Sequence, residues 1–450
     1  MREDADTPLR GLSREQLRRI DEVVPYLSYA DGLLHAFGAP ATELWPGDHP
    51  RIVFFPERAV SNYRNLQGAF SRHFGSDALV YFALKSCYVP AIAQALHAAG
   101  AGAEIMSAFE WRLALRYGFA PDTVVANAVR RNEEFRETVL SAGARVIGVD
   151  GLEELEAVCA TARRLGVRPD VTVRVSPFET DTFFGGSSKL GTPAKEAGAL
   201  LEAALRSPDL GTVGVHSHQL RKCVDPQRFG TLVRALGDLA ADASTDRRRV
   251  AIVNLGGGLE SRHVMEQQGV DCDDFAGVAR DALSGMRPGF RLILEPGRHL
   301  VSDAAVAFTR VLGTKQTADA HWAITEIGTN VLVPFPDRAY RPVPLTWNAG
   351  DTWQTYHLSD AIAAPNLICG NAPLPESVDR SGLAMLDCGA YTTVYSELWG
   401  CDLPDVAVFD GGRTRRVFGP AEREGMFMNL YGGDTEAATS LSADEAEVVK

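Results

Sequence analysis

Between Leu79 and Glu295 short apolar runs alternate with segments of helical periodicity, and this alternation leaves very few folds open to the chain. The runs are Leu79–Lys85, Ala103–Met106, Thr123–Ala126, Arg145–Val149, Val171–Ser176, Thr212–His218, Val250–Leu255 and Arg291–Glu295. The helical segments between them are Val89–Ala98, Ala108–Tyr117, Glu133–Ala142, Leu152–Leu165, Pro193–Leu205, Gln227–Leu239 and Phe275–Met286. Gly100, Gly118, Gly143 and Gly166 stand where helices should stop, a place suited to a residue without a Cβ. Continuous apolar strands are those of a parallel sheet under helices. Eight such units predict an α/β fold, a (β/α)8 TIM barrel. The competing arrangement, an open doubly wound sheet, ordinarily carries a glycine-rich turn after its first strand. Here that turn reads Lys85-Ser86-Cys87-Tyr88, which favours closure.

The flanks differ in kind. Residues 1–52 read as an N-terminal extension packing with a later β domain, with a helix from Arg14 to about Tyr26 begun by Ser13. A strand at Arg51–Phe55 and a helix from Ala59 to Phe74 follow, so the barrel is expected over residues 53–311. Beyond it, Ala305–Thr314, His321–Gly328, Asn366–Cys369, Leu383–Asp387 and Asp405–Phe409 are strand-like and separated by Pro, Gly and Asn turns. They predict a C-terminal β domain over 312–433, ahead of a flexible tail, 434–450.

The net charge of −13 argues against nucleic acid or an anionic membrane as a partner. The start, Met1-Arg2-Glu3-Asp4, is polar, so no secretory signal is expected. No apolar run approaches the ~18 residues of a membrane span. Seven scattered cysteines without a close pair predict reduced thiols, no metal site and a cytoplasmic setting.

In a barrel of this kind the working side chains sit on the loops after the strand C-termini. Lys85 ends the first run, His216 and His218 end the sixth, Gly256-Gly257-Gly258 follows the seventh, and Glu295-Pro296-Gly297-Arg298 closes the eighth. All of them therefore fall on one rim. A desolvated lysine forms imines with aldehydes, although a lone rim lysine is more often salt-bridged. Three glycines let successive N–H groups converge on an anion, and they also make ordinary tight turns. His216 and His218, two apart on a strand, face the same way, and one of them could stack on a heterocycle. Glu295 and Arg298 form either a structural ion pair or a carboxylate for a pyridine nitrogen beside a guanidinium for phosphate. Together these are the groups that pyridoxal 5'-phosphate (PLP) requires.

At these residues the chain resembles the fold-type III PLP decarboxylases, the ornithine, arginine and diaminopimelate decarboxylase family, related to alanine racemase. The resemblance spans roughly residues 50 to 430. Tyr81–Lys85 is similar to the family's Tyr-Ala-Val-Lys element, which implies Lys85 as the Schiff-base lysine. Val215-His216-Ser217-His218 is similar to its His-x-His segment, which implies His218 against the ring. Gly256, Gly257, Gly258, Gly297 and Arg298 match phosphate-binding positions, and Glu295 matches the residue at the pyridine nitrogen. Ser188-Lys189-Leu190-Gly191 resembles a Ser-Lys-Phe-Gly signature, and Gly389-Ala390-Tyr391-Thr392 the Gly-Ala-Tyr motif that brings Tyr391 to the phosphate. Lys85, His218 and Glu295 are thus the implied catalytic residues.

A carboxylate at the pyridine nitrogen keeps the ring a strong electron sink, which suits decarboxylation of a diaminopimelate-, ornithine- or arginine-like amino acid or a specialised amino-acid conjugate; the racemase relatives carry an arginine there. A racemase or epimerase, and a catalytically silent homologue, are the alternatives. Two departures stand out. Gln219-Leu220-Arg221 follows His218 where the family has a Gly-Ser pair. The loop that should present a proton-donating cysteine reads Cys369-Gly370-Asn371-Ala372-Pro373-Leu374-Pro375, so another acid is expected: Cys369 from a shifted loop, a histidine or a water. Glu376 and Asp379 match positions that contact the distal end of an amino-acid substrate, from a loop that reaches the neighbouring subunit. The resemblance therefore implies a homodimer with shared sites.

Overall fold

The computed structural model describes residues 12–127, 131–176, 189–245, 248–333, 340–348 and 350–431. Ser188 of the Ser-Lys-Leu-Gly segment and the expected tail lie outside these residues. Eight parallel strands close on themselves: β1 (Ala78–Ala83), β2 (Gly102–Ile105), β3 (Val124–Ala126), β4 (Val146–Val149), β5 (Val171–Ser176), β6 (Val213–His216), β7 (Val250–Asn254) and β8 (Arg291–Leu294). Each pairs with the next, and Leu292, Ile293 and Leu294 of β8 pair with Ala78, Leu79 and Val80 of β1 to shut the ring. Closure rules out the open sheet. The barrel is the one expected from the alternation.

Alternate residues of a strand face opposite sides, so every second one looks inward. Tyr81, Val125, Val146, Ile252 and Ile293 meet there as an apolar cluster separate from the outer core. Gly102 and Gly214 complete this layer by leaving room. A Cβ at Gly102 would lie 2.3 Å from the Tyr81 ring, and one at Gly214 would lie 2.4 Å from Ile252 Cβ. Two residues further along the same strands stand Glu104, Asn127, Gly148, His216, Asn254 and Glu295. Strand geometry thus places a polar layer on top of an apolar one, at the C-terminal mouth.

The helix Pro56–Phe74, which precedes β1, takes the eighth place in the outer ring. It packs between Cys272–Ala282 and Pro90–Ala98. Its buried stripe includes Tyr63, Leu66 and Phe70, and Phe70 meets Phe229 edge-on at 6.5 Å between ring centres.

The N-terminal helix is shorter than expected. Ser13 caps Arg14–Arg18, with Gln16 closing the capping box, and a second turn ends at Val23. Pro25 explains the stop: the residue before proline is pushed out of helical conformation, and Val24 is extended at φ −133°. A hairpin follows, Leu27–Ala30 with Leu33–Ala36, turned by Asp31-Gly32 at φ 49° and 77°.

The second domain holds two sheets. The six-stranded one runs, in spatial order, Arg341–Pro344, Leu383–Leu386, Ala305–Thr309, Arg51–Phe54, Asp405–Asp410 and Arg413–Phe418. The four-stranded one runs Val311–Gln316, His321–Thr325, Trp353–Asp360 and Cys369–Pro375. Residues 53 and 311, the expected ends of the barrel, both lie within strands of these sheets. Among the described residues, no helix is long and apolar enough to cross a membrane.

A buried ion network ties the two domains together. Asp303 accepts from Arg58 Nη2 at 2.7 Å and Nε at 3.1 Å, and from Asn62 Nδ2 at 2.6 Å, with His263 Nδ1 3.3 Å away. His263 also contacts Arg341, which donates from Nε to Asp387 Oδ2 at 2.8 Å. Burial alone would raise the pKa of Asp303, but the His263 hydrogen bond and the Arg58 charge outweigh it and hold the carboxyl well below its usual range.

Two outcomes follow from this packing. Phe70→Ala should lower stability by about 3–5 kcal/mol, read from the shift in urea unfolding midpoint. A depressed folded-state pKa gives stability that is present above the unfolded value of ~4 and lost as pH falls below it. Urea unfolding between about pH 3 and 7 should therefore show a shallower acid loss for Asp303→Asn, from a lower neutral-pH starting point.

Candidate active site

Lys85 follows β1 in the tight turn Leu84–Ser86, held by Ser86 Oγ donating to Ala83 O at 2.8 Å. Its Nζ contacts Glu104 Oε2, from the polar layer of β2. Burial opposes the ammonium. The charge of Glu104, with Tyr391 and Glu295 beyond it, outweighs that and holds Lys85 above the ordinary lysine range.

Glu295 sits opposite, just past β8 and buried. Asn127 Nδ2 and Asn254 Nδ2 both donate to its Oε1, each at 2.6 Å. Oε2 has His216 Nε2 at 3.5 Å. Burial raises the Glu295 pKa against the hydrogen bonds from the two amides and the Lys85 charge.

The glycine turn after β7 is packed to its limits. A Cβ at Gly257 would lie 2.4 Å from Glu295 O, and one at Gly258 would lie 2.2 Å from Leu220 O. Gly256 N donates to Asn254 Oδ1 at 2.9 Å and Gly257 N to His218 Nδ1 at 2.8 Å. These two N–H groups therefore orient an amide and an imidazole, and of the three glycines it is Gly258 that faces the open space. The bond to Nδ1 assigns His218 the Nε2–H tautomer. Burial, then the charges of Lys85 and Arg174, push its pKa well down, so the ring is neutral.

A cavity of about 350 Å³ opens at this mouth. Lys85, His218, Gly258, Glu295, Gly297, Arg298 and Tyr391 line it together. Gly256 and Gly257 lie behind the wall. Arg298 Cζ stands 5.6 Å from the centre of the Tyr391 ring. Glu376 follows the strand Cys369–Pro375 and Asp379 lies in the helix Val378–Ser381, and neither lines this cavity. Cys369 is fully buried between strands, off the cavity, and burial pushes its thiol up to about 12. Pro373 and Pro375, expected in a loop, lie on an edge strand opposite Thr355 and Trp353.

Sequence reasoning missed Glu104, Asn127 and Asn254, and also Arg174 on β5, whose charge bears on His216, Glu104 and Glu295. Their signal was available. Glu104, Asn127 and Asn254 each stand two places on from an inward apolar or small residue, Gly102, Val125 and Ile252.

The residues present fit PLP. The cavity offers an amine for its aldehyde, a carboxylate with an oxygen left for a pyridine N–H, a neutral imidazole, and a guanidinium beside a glycine for phosphate. The sequence pattern of the pyridoxal-dependent decarboxylase family, in its pyridoxal-binding domain, matches residues 60–302.

The chain belongs to that family. It is a PLP-dependent amino-acid decarboxylase. It is 29% identical to the diaminopimelate decarboxylase of Methanothermobacter thermautotrophicus over 79% of this chain and 85% of that one. With the diaminopimelate decarboxylase of Pseudomonas aeruginosa it shares 28% identity over 91% and 98% of the two chains. The crystal structure of a diaminopimelate decarboxylase from M. jannaschii superposes with a TM-score of 0.81, at 22% identity, covering 90% of this chain and 98% of the other.

Gly257→Ala tests the packing of the turn. Forcing its Cβ against the Glu295 carbonyl should cost about 1–3 kcal/mol and weaken PLP binding by about tenfold or more. Titration of apoenzyme with PLP, followed by absorbance, measures it.

Proposed function

We propose that the chain removes the α-carboxyl group of an elongated amino acid of the diaminopimelate kind, with PLP attached at Lys85. The observation that carries this is the meeting of Lys85, Glu295 and Arg298 in one cavity, at the barrel mouth where such sites lie. PLP, when bound, supplies an electron sink for the pair left on Cα as carbon dioxide departs.

The protein supplies the rest. Lys85 must lose a proton to act as a nucleophile, and Glu104, in contact with its Nζ, is placed to take it. Glu295 would hold a proton at the pyridine nitrogen, with Asn127 and Asn254 fixing its carboxylate. The neutral ring of His218 supports the cofactor face. Arg298, Gly297, Gly258 and Tyr391 would receive the phosphate, with Gly256 and Gly257 fixing the side chains of Asn254 and His218 behind them.

Among the described residues, no thiol of this chain lines the cavity. Cys369 is buried in its strand and does not line this cavity. We assign the proton that replaces the carboxyl group to Lys85, which lines the cavity, with Glu104 in contact with its Nζ. Glu376 and Asp379, off this cavity, are assigned to the site of a second copy, in a homodimer with shared sites.

Lys85→Ala should abolish the visible absorption of the lysine-linked cofactor and lower carbon dioxide release by about a thousandfold or more. The product should be lighter than its substrate by one carbon dioxide; an unchanged mass would mean racemisation. Cys369→Ser should leave the rate of carbon dioxide release within about twofold, since the Lys85–Glu104 pair carries the proton.

A further inference from the structure

The end of the barrel opposite Lys85 holds a cavity of its own, and we propose that it binds a free α-amino acid as a zwitterion, with the carboxylate on Arg145 and the ammonium on Asp122. This site goes beyond the decarboxylation and does not depend on PLP.

The cavity measures about 470 Å³ and lies where β1, β2, β3 and β4 begin. Tyr81, Asp122 and Arg145 line it from the strand ends, and Tyr63 and Gln67 from the helix Pro56–Phe74. It is not a rear entrance to the active site. The apolar layer of Tyr81, Val125, Val146, Ile252 and Ile293 fills the barrel between the two.

The cations at this end of the barrel fall into two sets. Arg291 is paired with Asp170, Arg168 donates to Leu210 O at 2.9 Å, and Arg249 donates to Pro288 O at 2.9 Å. These three are spent on holding the fold. Arg145 and Asp122 line the cavity instead, and neither is in an ion pair among the described residues. They are its two charged lining residues, one of each sign. A simple anion or cation would satisfy one of them and be repelled by the other, whereas a zwitterion matches both.

The neutral groups support the same division. Tyr63 and Tyr81 are only 6% and 5% exposed, yet both line the cavity. Tyr63 Oη has no hydrogen-bond partner in the protein among the described residues. A Cβ at Gly100 would lie 3.3 Å from it, so the glycine keeps that hydroxyl open. Tyr81 stands beside Arg145: burial raises the pKa of its hydroxyl, and the Arg145 charge works against that. A guanidinium and two phenols are donors suited to one carboxylate. Gln67 spends its two N–H donors on Ser71 Oγ at 2.8 Å and Ala78 O at 2.9 Å. Its Oε1 remains as an acceptor, which with Asp122 suits an ammonium. Leu79 and Val80 supply apolar wall for an aliphatic side chain. A ligand held this way ties an outer helix to the strand ends, so its binding should raise the melting temperature.

The test starts from holoenzyme reduced with borohydride, which locks the cofactor on Lys85 so that an added amine cannot displace it. Calorimetric titration uses L-norleucine, with hexanoate and pentylamine as the same chain lacking the ammonium or the carboxylate. Norleucine should bind once per chain, about tenfold or more tighter than either control, and should raise the melting temperature. Arg145→Gln and Asp122→Asn should each weaken it by about tenfold or more. Unliganded melting temperatures check that the variants fold; if Arg145→Gln melts early, Asp122→Asn carries the test. Binding unmoved by the variants, or no heat up to about 50 mM norleucine, overturns the proposal. So does hexanoate binding as tightly as norleucine, which would leave Asp122 without a part. If borohydride leaves the visible absorption unchanged, the reading of Lys85 fails instead, and the two variants still decide this site.

Discussion

The structure depends on one constraint: two carboxylates and a lysine share the dry interior of a closed barrel, and buried charges persist only when they are matched. Lys85 meets Glu104 directly. Asn127 then spans the two acids, 3.5 Å from Glu104 Oε1 and 2.6 Å from Glu295 Oε1. Asn254 supplies the second donor to Glu295 and uses its own carbonyl oxygen to hold Gly256. Even β4, which contributes no polar group, takes part. Its Gly148 leaves the space Asn127 needs, since a Cβ there would lie 2.4 Å from Asn127 Oδ1. The charged groups at the barrel mouth and the groups that make their burial tolerable are therefore one set, contributed by nearly every strand.

The second domain enters the site through the same logic. Gly389 donates to Ser302 O at 2.9 Å, and the chain passes so near the barrel that a Cβ would fall 1.7 Å from Val301 O. Two residues later Tyr391 donates to Ser86 O at 2.7 Å, in a left-handed conformation at φ 59°. That bond fixes Tyr391 to the turn bearing Lys85. Two residues before Gly389 stands Asp387, bound to Arg341 and near His263, in the ion network that reaches Asp303 and Arg58 of the barrel. Domain docking and assembly of the cavity wall are thus a single structural event.

The barrel was legible because its signal is redundant. Eight apolar runs each predict a strand, and an error of a residue at an end changes nothing about closure. The rim residues were legible because a lysine, a glycine triplet and Glu-Pro-Gly-Arg at strand ends have few other uses in combination. The inner polar layer was not read. Glu104 in Gly102-Ala103-Glu104-Ile105 and Arg174 in Val171-Thr172-Val173-Arg174-Val175 look like isolated interruptions of apolar runs. They acquire meaning only when the closed barrel decides which alternate residues face inward. The expected donor role for the two N–H groups of Gly256 and Gly257 illustrates the opposite limit. Three glycines announce a close approach, but only the fold says what approaches; here it is Asn254, His218 and the Glu295 backbone.

The second domain was harder to read because its edge strands are disguised. Pro373 and Pro375 made Cys369–Pro375 look like a loop, and Arg341–Pro344 carries the same spacing in Pro342 and Pro344. Proline cannot donate to a ladder, so it argues against a central strand but not against an edge. Both segments are edges of their sheets among the described residues. In each, the prolines stand two apart, so their nitrogens point to the same side, and that side can be the unpaired one. An edge without N–H donors offers little to a wandering strand, which guards the sheet against unwanted pairing. The same geometry bears on the reaction. A segment paired residue by residue with Trp353–Tyr356 is a fixed wall, not a loop free to swing an acid toward a substrate.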